Sequence, residues 1–593
     1  MNQNAPATQK ELRELNPRFR KGQKVNNDLK ELIKTARKRS GYFTPYIFLL
    51  VKYYSDRFHL VDFINKKVRW DDSQWKVSPG TLALCLIYMM FMTENGRIPL
   101  YKISDRLEDL DLNLLFEESV QLTDFTSHAF ATLLDRLHEA GCQDIFTSIS
   151  LQVYELFGLP RSYILHSDTT SHVLQGIYAM CDEAAHKGLT PANGHSKAHR
   201  PDLKQVKTGI IVDGNGIVFD AKSLDGNMSD STWNTEAIQR LKELLGDQLS
   251  EYIYIADSKL VNLKNFKEMT SSETPLWFIS LIPANFHNKV SSRFRDLAYY
   301  EGAWTELGAC CVNTNGKDRA TYAVQEFSEM IDGYSYRILI YRTNKSDKMT
   351  EKRLKTERDD LRIHATEKFK ETYACDADAL KDIRVFLKEK NRGRYQVLLE
   401  SIPETQTKNP VGRPPKNPRP QESTTVFRVK VIDVIPVNER ILKYRQEAES
   451  FALITNVSAD KLVNREVLLR YKGQWKVENL FSRLKKPMLV DTLFLKKPDR
   501  IEALMMLAYI ALLFQAVMQA MARDRALNFF ELPKIKYAKR SMDNPTYGLL
   551  EWLFKPFVVI SEGDSTEITW SGKEIGAYLK FLNYLVDMEK CKF

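Results

Sequence analysis

Val206–Asn227, VKTGIIVDGNGIVFDAKSLDGN, decides the fold class. Two apolar runs flank Asp213-Gly214-Asn215-Gly216, and Gly-Asn-Gly between such runs signals a β-hairpin. Before the hairpin, Ser162–His172 (SYILHSDTTSH) is an extended apolar segment that ends in an acid followed by hydroxyls. After it, Thr235–Gly246 (TEAIQRLKELLG) is a helix closed by glycine. Glu251–Leu260 (EYIYIADSKL) is a second apolar strand ending in an acid, and Leu276–Ala284 (LWFISLIPA) is a further strand. Strand, hairpin, helix, strand, helix, strand is the order of an α/β layer on a mixed sheet.

A chain of 593 residues is too long for one core, so two to four structural units are expected. Its 43% hydrophobic and 27% charged residues are those of an ordinary soluble protein. The net charge of +10 suits a nucleic-acid partner without establishing one. Seven scattered cysteines contain no CxxC pair, which gives neither a disulfide framework nor a zinc spacing and fits a reducing cytoplasm. The N-terminal stretch MNQNAPATQKELRELNPRFRKGQK lacks an apolar signal core, so secretion is not expected. Ile501–Met521 is apolar enough to raise a membrane helix, but Glu502, Gln515 and Gln519 interrupt it; a buried core helix, and no membrane partner, is the expectation.

In chain order, residues 1–40 read as a basic arm and 41–160 as a helical N-terminal domain without strand signals, a candidate for DNA binding. Within it, Ser78-Pro79-Gly80 marks a helix start. Residues 161–285 form the first part of the α/β core. At 286–455 the regular layout is lost to an α+β insertion with charged helices, strands, and a basic Pro-rich linker at 408–420. The core resumes at 456–522, and 523–593 is a C-terminal segment.

The resumed core begins with Tyr471–Lys485, YKGQWKVENLFSRLK, which reads as one helix. Val477, Leu480, Phe481, Leu484 and Met488 form its apolar face. Tyr471, Gln474, Glu478 and Lys485 fall on a second stripe, since a spacing of seven is two turns. Taken alone this is an ordinary surface helix. Its partners lie upstream: Asp168 and Asp257 each end an apolar strand in this reading. Two strand-end carboxylates and a third from a covering helix make a hard, oxygen-rich site that suits Mg²⁺ or Mn²⁺. A pair of such ions serves in-line displacement at phosphorus. Asp202, Asp213, Asp220, Asp225 and Asp230 read as loop and turn acids.

These segments together resemble DDE transposases of the IS4 superfamily, and most of all the IS1634 group of insertion sequences. The likeness is carried by HSDTTSHVLQGIY around Asp168, GHSKAHRPDLKQVKTGIIVD, LDGNMSDSTWN, YIADSKLV around Asp257, and the Tyr471–Lys485 helix. WKVSPGTLALCLIYMMF and LLDRLHEAG resemble the helical domain that accompanies this group. The resemblance implies an RNase H-like catalytic core interrupted before its last catalytic helix. It implies Asp168, Asp257 and Glu478 as catalytic, metal-binding residues for two Mg²⁺ (or Mn²⁺) ions. It further implies Tyr471 and Lys485 as contacts to the cleaved DNA strand. Gln474 stands where the family has arginine, which keeps hydrogen-bond donors but loses the charged fork.

Arg200 and Lys204, in the segment between Gly194 and Gln205, either touch DNA or order the approach to the next strand. His195 and His199 are spaced as ligands on a helix, but Gly194 and Pro201 argue against a helix there. Gly412-Arg413-Pro414, with Lys416 close by, resembles a minor-groove hook, although a plain basic linker accounts for it equally well. The leading expectation is a transposase that binds the inverted repeats of its element in double-stranded DNA as a homodimer. It would cut the ends and join them to target DNA in the cytoplasm of a bacterium, at the nucleoid. The alternatives are a transposase-derived DNA-binding protein without turnover and an RNase H-like nuclease.

Overall fold

The computed structural model of the chain describes residues 41–92, 99–178, 188–194, 200–270, 274–309, 320–344, 347–407, 423–485, 495–527, 544–562 and 565–569, with a few positions between 579 and 586. It divides into two units, Ile279–Leu469 and the residues on either side of that span.

The outer unit opens with strand β1 (Tyr42–Pro45) and helices α1 (Tyr46–Arg57), α2 (Leu60–Lys67), α3 (Pro79–Phe91), α4 (Ser127–Glu139) and α5 (Cys142–Ser150). α3 starts where Ser-Pro-Gly predicts. The Thr81 N–H donates to Ser78 Oγ at 3.3 Å, and Pro79 takes the first helical position, where no N–H is needed. A Cβ on Gly80 would stand 2.2 Å from the Val61 carbonyl oxygen, so only glycine lets α2 and α3 approach this closely.

The α/β layer follows: β2 (Ile164–Val173), β3 (Gln205–Asp213), β4 (Val218–Leu224), α6 (Asp230–Leu245), β5 (Ile253–Ala256), α7 (Leu263–Thr270) and β6 (Trp277–Leu281). The strand order is β4-β3-β2-β5-β6. β2, β3 and β4 are antiparallel neighbours, and β5 runs parallel to β2. The predicted hairpin is β3–β4. β3 is buried along its whole length because both faces are covered. On one face Trp233 of α6 donates from Nε1 to Ser167 Oγ at 3.0 Å, and lies where a Cβ on Gly209 would meet it at 2.5 Å. On the other face Thr208 Oγ1 and the Tyr509 hydroxyl are 2.9 Å apart.

The inner unit holds α8 (Val290–Glu301), β7 (Thr305–Ala309), β8 (Thr321–Ile331), β9 (Tyr334–Thr343), α9 (Asp347–Lys368), α10 (Asp376–Lys390), β10 (Tyr395–Thr407), β11 (Ser423–Pro436), α11 (Asn438–Glu449) and β12 (Ser450–Thr455). Within it, Ile279–Leu281 pairs with β12, and the order continues β12-β9-β8-β7, antiparallel throughout. The β8–β9 hairpin turns on Asp332 and Gly333, both at positive φ (50° and 82°), as a type I′ connection requires. α9, α10 and α11 pack with the long β10–β11 hairpin around a second apolar core that includes Phe369, Phe386 and Val429. Residues 408–422, with Arg413 and Lys416, lie outside the described residues. They join Thr407 to Ser423, which pair across the hairpin, so this stretch connects two strands of one hairpin rather than separate elements.

Back in the outer unit, α12 (Asn464–Tyr471), which starts in the inner one, leads to α13 (Trp475–Leu484), α14 (Pro498–Leu527), α15 (Tyr547–Phe554), β13 (Val558–Glu562) and β14 (Ser565–Thr569). α14 is long and apolar enough to cross a membrane, but 89% of its apolar window is buried in the protein. Phe514 stacks on Phe58 with centroids 5.4 Å apart and planes 7° from parallel, so α14 serves as the core of the N-terminal helices.

The α/β class, the mixed sheet and the helical N-terminal region are as the sequence predicts. Three details differ. β1 pairs with β13 (Phe43 opposite Ile560), so the N-terminal helical segment is not all-helical and takes its sheet partner from the far end of the chain. Asp168 lies in the middle of β2, because β2 continues through the hydroxyl run to pair with the whole of β3. Asp213 and Asp220 are fully buried rather than loop acids. Asp220 is held in β4 by Thr147 and Gln143 at 2.6 and 2.9 Å, and Asp213 accepts from the Tyr154 hydroxyl at 2.9 Å.

Candidate active site

Strand register builds the site. In the parallel pair β2–β5, His166 is opposite Ile255, an offset of 89 residues. Asp168 and Asp257 have that same offset of 89, so each lies two residues beyond the last paired position, Asp168 within β2 and Asp257 just past the end of β5. Residues in register on parallel strands point to the same face. That face also carries His166, two residues before Asp168, whereas Ser167, which meets Trp233 of α6, points to the opposite one.

The His166 face is the one α13 covers. A Cβ on Gly473 would stand 2.8 Å from His166 Nε2, so the turn before α13 rests directly on this buried imidazole. Burial, and then the Lys476 charge, hold the His166 pKa down at about 3. Glu478 follows in the first turn of α13, half-buried Tyr471 precedes the turn, and Glu478 itself is exposed. The Tyr471 phenol is pushed up to about 12 by burial first, then by the charges of Asp257 and Glu478. Tyr254, buried beneath the other face, is raised by burial and by Asp257 and Asp168. Asp257 thus shares one neighbour with Asp168, Tyr254, and another with Glu478, Tyr471.

Each strand carboxylate is oriented by backbone. Asp168 Oδ1 accepts from Thr169 N–H at 2.7 Å, and Asp257 Oδ1 accepts from Lys259 N–H at 3.0 Å as the cap of a 3₁₀ turn. On the opposite face, Asp230 accepts from Thr169 Oγ1 at 2.6 Å and pairs with Lys207 at 3.4 Å, which fixes the strand beneath Asp168.

Tyr471–Lys485 is not a single α-helix. α12 ends at Tyr471, Lys472–Gln474 form a 3₁₀ turn, and α13 begins at Trp475. The tightening sits where Gly473 meets His166. Val477, Leu480, Phe481 and Leu484 are the buried face, as predicted; Met488 lies outside the described residues. Gln474 and Lys485 are both half-buried, at the two ends of α13.

Residues 46–151 match the family described as "Domain of unknown function (DUF4277)", and residues 311–514 match "Transposase DDE domain". The matched span of this DDE domain contains Tyr471, Gln474, Glu478 and Lys485, and Asp168 and Asp257 precede it. Such domains belong to nucleic-acid-cleaving enzymes that generally use divalent metal ions. No curated protein matches the chain. Among solved structures, a cryo-EM piggyBac transposase synaptic complex with hairpin DNA matches with 9% identity and a TM-score of 0.33. The match covers 81% of this chain and 78% of that one, a likeness too loose to transfer residues.

The remaining predicted residues do not join this cluster in any described contact. Arg200 forms a fork with exposed Asp202 at 2.8 and 2.7 Å. Lys204 donates to the Tyr178 carbonyl at 3.3 Å and so ties down the chain leaving β2. His195 and His199 lie outside the described residues.

The outer unit also has a feature that the helical periodicity of α13 did not flag. On a flank of α13 away from Glu478, a cavity of about 210 Å³ is lined by Lys476, Arg483 and Arg523 together with Gln519 and Tyr547. Burial lowers the pKa of all three cations, Arg483 to about 10. Arg523 lies forty residues beyond Arg483 in the sequence, on α14, so only folding brings it to this wall.

Proposed function

We propose that the protein is a transposase of the IS4 superfamily, in its IS1634 group, with an RNase H-like catalytic core. It cuts DNA at the terminal inverted repeats of its element and transfers the 3′-hydroxyl ends to target DNA. The observation that supports this reading is the β2–β5 register, whose offset of 89 Asp168 and Asp257 share, with the turn before the Glu478 helix seated on His166. The strand order, with three antiparallel strands followed by one parallel to the first, supports the RNase H-like assignment.

The donor set fits Mg²⁺ or Mn²⁺: carboxylate oxygens only, on one face, two of them fixed by backbone N–H groups. Asp168, Asp257 and Glu478 would hold the two ions. Bound there, divalent ions supply Lewis acidity to phosphate oxygens and make water or a 3′-hydroxyl a better nucleophile. The protein's own groups do the positioning. Tyr471, kept protonated beside two carboxylates, donates to a phosphate oxygen of the strand being cut, and Lys485 and Gln474 hold phosphates at the two ends of α13. Lys476, Arg483 and Arg523 place positive charge on the other flank of α13, where the same strand would leave the site. Arg200, Lys204, Arg413 and Lys416 belong to the wider DNA-contacting set in this reading. A homodimer follows from the need to pair two element ends before joining, and the bacterial cytoplasm, at the nucleoid, is where that DNA lies.

The test is purified protein with Mg²⁺ and linear DNA carrying the element's ends. Nicking at those ends, lost in Asp168→Ala, Asp257→Ala and Glu478→Gln, is the expected result. Binding without cutting by the intact protein would replace this reading with a DNA-binding protein lacking turnover. Cutting that ignores end sequence would replace it with a nuclease.

A further inference from the structure

Three helix ends converge outside the candidate active site. α4 ends just after His138, Gly141 at φ 88° reverses the chain, and Cys142 opens α5. The first two turns of α14 bring Asp499 and Glu502 to the same place. One ligand atom each of His138, Cys142 and Glu502 lies within 4.8 Å of the others. The two ring nitrogens of His138 face different carboxylates: Nδ1 is 2.9 Å from Glu502 Oε2, and Nε2 is 3.6 Å from Asp499 Oδ1. His138 Nδ1 is buried without a well-formed hydrogen bond, and Cys142 is 5% exposed.

We propose that His138, Cys142 and Glu502 form a zinc site that clamps the α4–α5 turn to the start of α14. The donors are one imidazole nitrogen, one thiolate and one carboxylate oxygen, a borderline-soft set that selects Zn²⁺ over the hard ions suited to an all-carboxylate site. Nδ1 is the ligating nitrogen, because it is the one beside Glu502. That leaves Nε2–H for Asp499, and a carboxylate on the far nitrogen of a zinc-bound histidine fixes its tautomer and orientation. Burial, with the Glu502 and Asp499 carboxylates nearby, holds the Cys142 thiol well above its ordinary pKa, so its proton leaves only as the metal binds. Three protein ligands leave one place in a tetrahedral shell for water. Binding releases the thiol proton to solvent, and no oxidant or reductant takes part. The clamp ties residues from opposite ends of the chain, within the part matched by the domain of unknown function and at the head of the buried α14.

The competing arrangement is His138 held between Asp499 and Glu502 alone, in which Cys142 has no part. The two are separated with the full-length protein, stripped by chelator and titrated with Zn²⁺ and with Co²⁺. The expected result is one equivalent of zinc, a rise in melting temperature on binding, and a thiolate-to-cobalt charge-transfer band. The band should vanish in Cys142→Ser and His138→Gln and persist in Cys375→Ser, which removes an exposed thiol, and in Asp168→Ala. Asp499→Asn should weaken zinc binding by about 10- to 100-fold. Failure to take up zinc, or uptake unchanged by Cys142→Ser, would overturn the proposal. If Cys142→Ser fails to fold, absence of the cobalt band in the intact protein is sufficient to reject it.

Discussion

Gly473→Ala is the sharpest probe of how α13 is seated. At a helical position with ordinary φ, this change normally stabilises by about 0.5–1 kcal/mol, because alanine has less unfolded-state freedom to lose. Here the added Cβ would stand 2.8 Å from His166 Nε2 and 3.0 Å from Cε1, where 3.4 Å is the near limit of ordinary contact. His166 is 1% exposed and has no room to retreat. The turn must therefore lift from β2 by about 0.6 Å, the difference between those distances. Overpacking of this kind costs about 1–3 kcal/mol, so the net effect is a loss of up to about 2.5 kcal/mol. Glu478 sits in the helical turn that follows directly, and a misplacement of about 1 Å at a reacting site costs about 100-fold, so roughly tenfold is expected for half that shift. Urea unfolding and end-nicking rates measure the two effects. Placed in His166→Ala, where the imidazole is gone, Gly473→Ala should become neutral or stabilising, with a coupling of about 1–3 kcal/mol. Equal effects of Gly473→Ala with and without the imidazole would refute the contact as the cause.

His166 also sets an acid limb. Its folded pKa of about 3 lies below the usual 6.5, so its neutral form contributes stability that is fully present above pH 6.5 and is lost as pH falls from there towards 3. The full shift corresponds to about 5 kcal/mol at most, and His166→Gln should flatten the fall in the urea midpoint over that window. Asp257→Asn should lower end nicking by more than about 10³-fold while end binding in a gel-shift assay survives, because the carboxylates stabilise the reacting charge rather than hold the duplex. Gln474→Arg should tighten DNA binding and steepen the dependence of log K on log salt by about 0.9, the value of one added phosphate contact; an unchanged slope would remove residue 474 from the DNA path. Phe514→Ala should cost about 3–5 kcal/mol by thermal or denaturant unfolding, because it empties the stack with Phe58 at the centre of the N-terminal helices.

The hairpin over Val206–Asn227, the strand-helix order around it and the buried character of the apolar helix at 501–521 were all legible in the sequence, because each rests on local patterning: a turn that needs glycine, a period of two, a run of apolar residues. The β8–β9 hairpin was legible too, since Asp332-Gly333 between alternating strands is the usual type I′ pair, but the charged helices that follow obscured it. Asp168, Asp257 and Glu478 could be nominated from residue types and a family likeness. The offset of 89 that the first two share is also that of the parallel β2–β5 register, which depends on pairing across the sheet. The close seat of Gly473 on His166, the basic wall of Lys476, Arg483 and Arg523, and the meeting of His138 and Cys142 with Glu502 have no local signature. They arise from contacts between residues tens to hundreds of positions apart, and such contacts are fixed by packing, not by the pattern of any one segment.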